Sequence, residues 1–191
     1  IADDARVFTP DDLMAGNVPD GKVIVYDDDH YYMGGVLAEL LVTQGADVTL
    51  ITPSAYVSDW TRNTLEQEAI HARLAGLGVS IVLNRGVMEI AGDHVVSNCV
   101  YTGHEQTAEC DSVVMVASQL PDDALYRDLL ARQAEWADAG IKSVKVFGDA
   151  EAPGPIAWAT YAGHRYAREL DGADLGDQLP FRREVAQLAA D

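Results

Sequence analysis

Two short β-branched runs on either side of one helix-forming segment constrain this chain more than any other feature. Lys22 to Tyr26 reads Lys-Val-Ile-Val-Tyr, and Asp47 to Ile51 repeats the pattern. Between them, about Gly34 to Thr43 reads as a helix, and Gly45 stands where a glycine ends one. A strand, a helix and a strand within about 30 residues make a β-α-β unit, the core of a doubly wound parallel sheet. A second helix is expected from Asn63 through Leu77, with Leu65, Ala69, Ala72, Leu74 and Leu77 on one face and Gly78 stopping it. Val79 to Leu83 is the next strand.

Residues 87–116 then read as a meander. Val87 to Ala91, Val95 to Tyr101 and Thr107 to Cys110 cluster or alternate apolar residues, and Gly92-Asp93 and Gly103-His104 are hairpin-type breaks. Val113 to Ala117 is wholly apolar, as suits a buried parallel strand. After Pro121 the spacing predicts a helix over Ala124 to Ala139, a strand over Val144 to Phe147 and a helix from about Ile156 to Leu170.

Between that last strand and helix lies Gly148-Asp149-Ala150-Glu151-Ala152-Pro153. A Gly-Asp at a strand end presents one carboxylate and successive backbone N–H groups near a helix N-terminus, where phosphate is favoured and the Asp can accept from a sugar hydroxyl. Small residues at Ala157, Ala159, Gly163 and Ala167 let the helix approach a sheet or cofactor closely. Gly148, Asp149 and Ala150 are therefore candidate cofactor-binding residues, although the same string also serves as an ordinary strand-to-helix turn.

The loop after Tyr26 argues in the opposite direction. A dinucleotide site needs glycines there so that the backbone turns tightly and phosphate reaches the helix. This chain has Asp27-Asp28-Asp29-His30-Tyr31-Tyr32-Met33 before Gly34-Gly35. Carboxylates beside a pyrophosphate repel it by ~1 kcal/mol per close pair even in water, so the module reads as one that has lost NAD(P). Two other readings stay open: Asp27, Asp28, Asp29 and His30 as metal ligands, or Asp27 to Asp29 as a solvated, helix-capping turn. Gly34-Gly35 is explained by close helix–strand packing.

The string GDAEAPGPIAWATYAGHRYARELD, with Arg132-Gln133-Ala134-Glu135-Trp136-Ala137, Val23 to Tyr32, Phe8-Thr9-Pro10-Asp11-Asp12-Leu13-Met14 and Leu179-Pro180-Phe181-Arg182-Arg183-Glu184, resembles the trimethylamine and dimethylamine dehydrogenase family. These are relatives of 2,4-dienoyl-CoA reductase in which an old-yellow-enzyme barrel precedes a tail similar to the nucleotide-binding domains of glutathione reductase. The resemblance implies a Rossmann-like sheet with a three-stranded β-meander insert. It divides the chain into an NAD-binding-like domain, 22–120, and the remaining part of an FAD- or ADP-binding-like domain, 1–21 with 121–191. It further implies that the parent protein oxidises a small-molecule amine on FMN in an absent barrel. A 4Fe-4S cluster there would pass electrons to an electron-transferring flavoprotein, with ADP an additional ligand of the parent. The chain itself would then carry no catalytic residue, no metal and no cofactor, and would be inactive alone. A pyridine-nucleotide domain of an NAD(P)H-dependent flavin reductase and a structural interaction module are the alternatives, and a homo-oligomer is compatible with each.

Composition narrows the partners. A net charge of −18, from 31 acidic against 13 basic residues, disfavours nucleic acid and anionic membrane, both of which need basic surface. At 48% hydrophobic residues, the 191-residue chain can bury a substantial core, yet no run of 18 apolar residues offers a membrane span. The start, Ile1-Ala2-Asp3-Asp4-Ala5-Arg6, does not read as a signal peptide, and the lack of an initial Met suggests a fragment. Cys99 and Cys110 lie eleven apart with no Cys-x-x-Cys pair, so they read as free thiols in a cytoplasmic protein. His71, His94, His104 and His164 show no metal or catalytic spacing, and no nucleophile elbow or P-loop lysine appears.

Overall fold

A computed structural model describes residues 1–170 and 172, in two units, Ile1–Ser118 and Gln119 onward. In the first unit the elements are β1 (Val7–Phe8), α1 (Pro10–Met14), β2 (Lys22–Asp27), α2 (Met33–Thr43), β3 (Asp47–Ile51), α3 (Gln67–Gly76), β4 (Ser80–Val82), β5 (Arg85–Ile90), β6 (His94–Cys99), β7 (Glu105–Glu109) and β8 (Ser112–Val116). The five-stranded sheet runs β1-β8-β2-β3-β4 with every pairing parallel, and β5-β6-β7 form a separate antiparallel sheet.

Near-continuous apolar strands follow from covering both faces of the parallel sheet. Val23 and Val25 of β2 and Val48 and Leu50 of β3 point into a core completed by Leu37 and Leu41 of α2 and Leu74 of α3. Ile24, Ile51 and Val113 point the other way, onto Ile90, Val95 and Cys110 of the meander side. Ile24 pairs with Val113 and Val25 with Leu50, and a one-residue slip would exchange the two faces along a whole strand. In this unit the layer opposite the helices is thus the meander.

Residues 1–21 pack within this unit, whereas the resemblance groups them with 121–191. Val7 and Phe8 pair with Val113 and Val114, and Ala2 donates to the Ile90 carbonyl at 2.8 Å. A capping box fixes α1: the Thr9 hydroxyl accepts from the Asp12 N–H at 3.2 Å, and the Thr9 N–H donates to the Asp12 carboxylate at 2.8 Å. Leu13 is thereby held in the helix-side core.

The second helix also begins later than its pattern suggests. Residues Asp59–Thr64 form a 3₁₀ turn, and Leu65 follows in a left-handed conformation, φ 63°. Leu65 is exposed, and the packed face of α3 is Gln67, Ile70 and Leu74, spaced three and four from the true start.

In the second unit, α4 (Ala124–Ala131) stops short of Ala139. Residues Gln133–Glu135 tighten into a 3₁₀ turn, and the Trp136 indole N–H donates back to the Leu129 carbonyl at 2.9 Å. The expected strand Val144 to Phe147 pairs with nothing among the described residues, because a strand exists only where a ladder partner does. Helix α5 (Ile156–Glu169) follows as expected, with Gly163 and Ala159 packed toward Phe147 and Gly148. Leu179 to Glu184 lie outside the described residues. No helix of the described residues is long and apolar enough to cross a membrane.

Candidate functional site

Strand order reverses around β2, whose neighbours are β3 on one side and β8 on the other. In open α/β sheets ligands enter the crevice outside the carboxyl ends of the strands at such a point. Here that end carries Asp27, and the chain continues over Asp28 to Tyr32 into α2.

The three aspartates are not equivalent. Asp27 is completely buried, whereas Asp28 and Asp29 are exposed. The Asp27 Oδ1 accepts the His30 N–H at 3.0 Å, closing a tight turn in which His30 takes a left-handed φ of 63°. Its Oδ2 has no hydrogen-bond partner among the described residues. Burial pushes the carboxyl up to about 6, against the lowering by the His30 N–H and the His30 ring. The solvated-turn reading therefore holds for Asp28 and Asp29 and is corrected for Asp27. No helix-capping bond comes from the turn either: Tyr32 precedes α2 without a side-chain cap.

Gly34 and Gly35 are required by proximity. A Cβ on Gly34 would stand 2.5 Å from the Asp27 Cγ, and one on Gly35 would stand 3.2 Å from the Ser58 Oγ and 3.4 Å from Ile70. The first turn of α2 therefore lies against the end of β2 and against α3, as close packing at these positions demands.

A second loop anchors the first. His30 accepts the Trp60 N–H on its carbonyl at 2.9 Å, and its ring Nδ1 lies 3.4 Å from the buried Thr52 hydroxyl. Its Nε2 is 3.4 Å from Asp28. The Tyr32 hydroxyl donates to Glu66, which holds that carboxyl below its ordinary range and pushes the phenol up. Among the described residues no three His, Cys, Asp or Glu side chains converge as metal ligands, and Asp27 and Asp28 face different surroundings. The cleft beside the loop, lined by Tyr32, Val36, Glu39 and Arg73, is about 70 Å³. Ligand pockets typically run ≈ 300–1,000 Å³. Sequence reasoning missed the roles of Thr52, Ser58 and Trp60, because they reach the loop from 22 or more positions away; only Thr52-Pro53 at the end of β3 marked a turn there.

Gly148, Asp149 and Ala150 form a 3₁₀ turn of their own, entered by Phe147 in extended conformation and by Gly148 at φ 68°. Glu151 and Ala152 both donate to the Gly148 carbonyl at 2.9 Å. Asp149 is exposed and accepts the Gly154 N–H at 3.4 Å, and Glu151 to Pro155 separate the turn from the first residue of α5. Cys99 is half-buried and Cys110 buried, both as free thiols.

Residues 8–113 match the family described as OYE-like second alpha/beta domain. The chain is 34% identical over 199 residues to dimethylamine dehydrogenase of Hyphomicrobium sp. (strain x), covering 94% of this chain and 27% of that protein. It is similar to histamine dehydrogenase from Rhizobium sp. 4-9, with a TM-score of 0.92 and 63% identity over 99% of this chain and 30% of that one. It is also similar to 6-hydroxypseudooxynicotine amine oxidase from Pseudomonas geniculata N1, with a TM-score of 0.76 and 38% identity over 83% of this chain and 24% of that one. The chain thus spans less than a third of the length of each of these relatives. With more than half of its residues matched by the family and a parallel sheet backed by a meander, this chain belongs to the OYE-like second alpha/beta domain family, within the trimethylamine/dimethylamine dehydrogenase group.

Proposed function

We propose that this chain is the C-terminal, nucleotide-binding-like part of a flavin and iron–sulfur amine dehydrogenase. The observation that carries the reading is the 63% identity to a histamine dehydrogenase across 99% of the chain. Amine oxidation would take place on FMN in the barrel of the parent, with electrons leaving through a 4Fe-4S cluster to an electron-transferring flavoprotein in the cytoplasm. The described residues do not suit either group. Cys99 and Cys110 do not converge with further ligands, and the loop above β2 is filled by its own side chains. This chain's own contribution would be structural or ADP-binding.

The parallel sheet with a meander on one face supports descent of the first unit from a glutathione-reductase-like NAD domain. The buried Asp27 supports its loss of NAD(P), and disfavours a live pyridine-nucleotide reductase. The segment 121–191 would complete an ADP-binding domain whose other part lies elsewhere in the parent, with Gly148, Asp149 and Ala150 as one wall of its site. Melting temperatures of the purified chain with ADP, NADH and NADPH separate these readings. No shift with any nucleotide is expected for the chain alone, and a clear NADH or NADPH shift would favour the reductase. Purifying the parent and finding neither flavin nor iron would overturn the dehydrogenase reading.

A further inference from the structure

Helix α2 starts without the groups that normally satisfy a helix N-terminus. Tyr32 makes no side-chain cap, and the first turn contains no acidic residue. The first bond closing the turn runs from the Val36 N–H to the Tyr32 carbonyl at 3.0 Å, so the N–H groups of Met33, Gly34 and Gly35 have no partner within the helix. Such a terminus, at the carboxyl end of a central parallel strand, is an anion site in physical terms.

A second observation says what fills it. The Asp27 side chain is completely buried, its Oδ2 lacks a partner among the described residues, and that oxygen lies 2.7 Å from where a Gly34 Cβ would stand. A buried oxygen without a hydrogen-bond partner is costly, and the adjacent positive end of α2 reduces that cost only in part. Asp28 and Asp29, being exposed, oppose an incoming anion only through screened solvent.

We propose that the Asp27 carboxylate occupies the anion position at the N-terminus of α2, so that this one residue, and not the acidic run as a whole, closes a latent pyrophosphate-binding site. The proposal rests on the nucleotide-domain descent argued above. It assigns the loss of binding to a built-in anion: the residue that follows Tyr26 supplies from within what a dinucleotide would supply from outside.

The test uses the whole chain at pH 7.5 and low salt, titrated calorimetrically with inorganic pyrophosphate, ADP and NADH, with circular dichroism to verify folding. Asp27→Ala removes both volume and charge and should bind pyrophosphate at least about tenfold more tightly than the unmodified chain. Asp28→Ala/Asp29→Ala should change affinity by less than about threefold. If Asp27→Ala does not fold, Asp27→Ser, which also shortens the side chain, is held to the same tenfold criterion. A folded Asp27 variant with no gain overturns the proposal, as does an equal gain in Asp28→Ala/Asp29→Ala. A gain for pyrophosphate but not for ADP or NADH supports the plug while removing the nucleotide descent. Tight NADH binding by the unmodified chain overturns both.

Discussion

Replacing Asp27 by Asn should flatten the pH dependence of the first unit's stability and raise that stability at pH 8. Burial lifts the Asp27 carboxyl from 3.8 to about 6, so the folded state holds this proton more tightly than the unfolded chain does. Stability therefore falls as pH rises through that window, being unpenalised below about 4 and fully penalised above about 6. That difference corresponds to about 3 kcal/mol. Against this stand the unpaired amide N–H₂ that Asn places where Oδ2 sits, about 1–2 kcal/mol, and the lost attraction to α2, about 0.3–1 kcal/mol. The net gain at pH 8 is about 1 kcal/mol, and the difference between pH 4 and pH 8 is the larger signal, about 2–3 kcal/mol. Urea unfolding followed by Trp60 fluorescence, in a Trp136→Phe/Trp158→Phe background, reports the first unit alone. The loop also carries Asp28, Asp29, His30, Tyr31 and Tyr32, so the comparison is repeated with His30→Gln. Parallel pH profiles for the unmodified chain and the Asp27→Asn variant would refute the argument that burial governs this carboxyl.

Gly34→Ala should destabilise the first unit by about 1–3 kcal/mol, because its Cβ meets the Asp27 carboxyl at 2.5 Å, and Asp27→Ala should recover most of the loss in a double-mutant cycle. The unmodified chain should show no micromolar affinity for NADH by titration, and a micromolar Kd would sink the lost-site reading. Purified alone, it should be colourless, free of iron by elemental analysis and inert toward amines; a stoichiometric flavin spectrum would contradict the proposal that flavin chemistry lies outside it. In the parent, Asp149→Ala should weaken ADP binding roughly tenfold with amine turnover largely intact. Unchanged ADP affinity with a lowered unfolding midpoint would leave Asp149 as a partner of the Gly154 N–H only.

The parallel strands were legible because burial on both faces writes an unbroken apolar run, and β2, β3 and β8 fall within a residue of their patterns. Gly45 and Gly78 were legible because both take positive φ, 97° and 89°. The start of α3 was not, since Leu65 matches a helical face by type while its backbone turns left-handed after a 3₁₀ segment. Val144 to Phe147 has strand composition but no neighbour among the described residues, and pairing is not a local property. At the site, the acidic loop announced itself, yet three identical residue types gave no means of telling which one is buried. That distinction comes from the alternation of β2: Val23 and Val25 face the helices, and Asp27, two residues on, inherits their direction.

That inheritance links fold to function. A residue at position 27 projecting toward α2 must either be small enough to leave room for a ligand or occupy the room itself. Gly34 shows which solution this chain has taken, because a side chain there would collide with the Asp27 carboxyl. His30 and Trp60 then lock the loop over the filled position through a hydrogen bond of 2.9 Å. The sheet needs none of this for its stability: its core is Val25, Leu37, Leu41 and Leu50, all buried on the helix side, and Asp27 only penalises it as pH rises from about 4 to about 6 and beyond. A unit that tolerates a buried carboxylate with one oxygen unpartnered among the described residues has a scaffold whose stability does not rest on that group. The same core would support a reopened site once the carboxylate is removed.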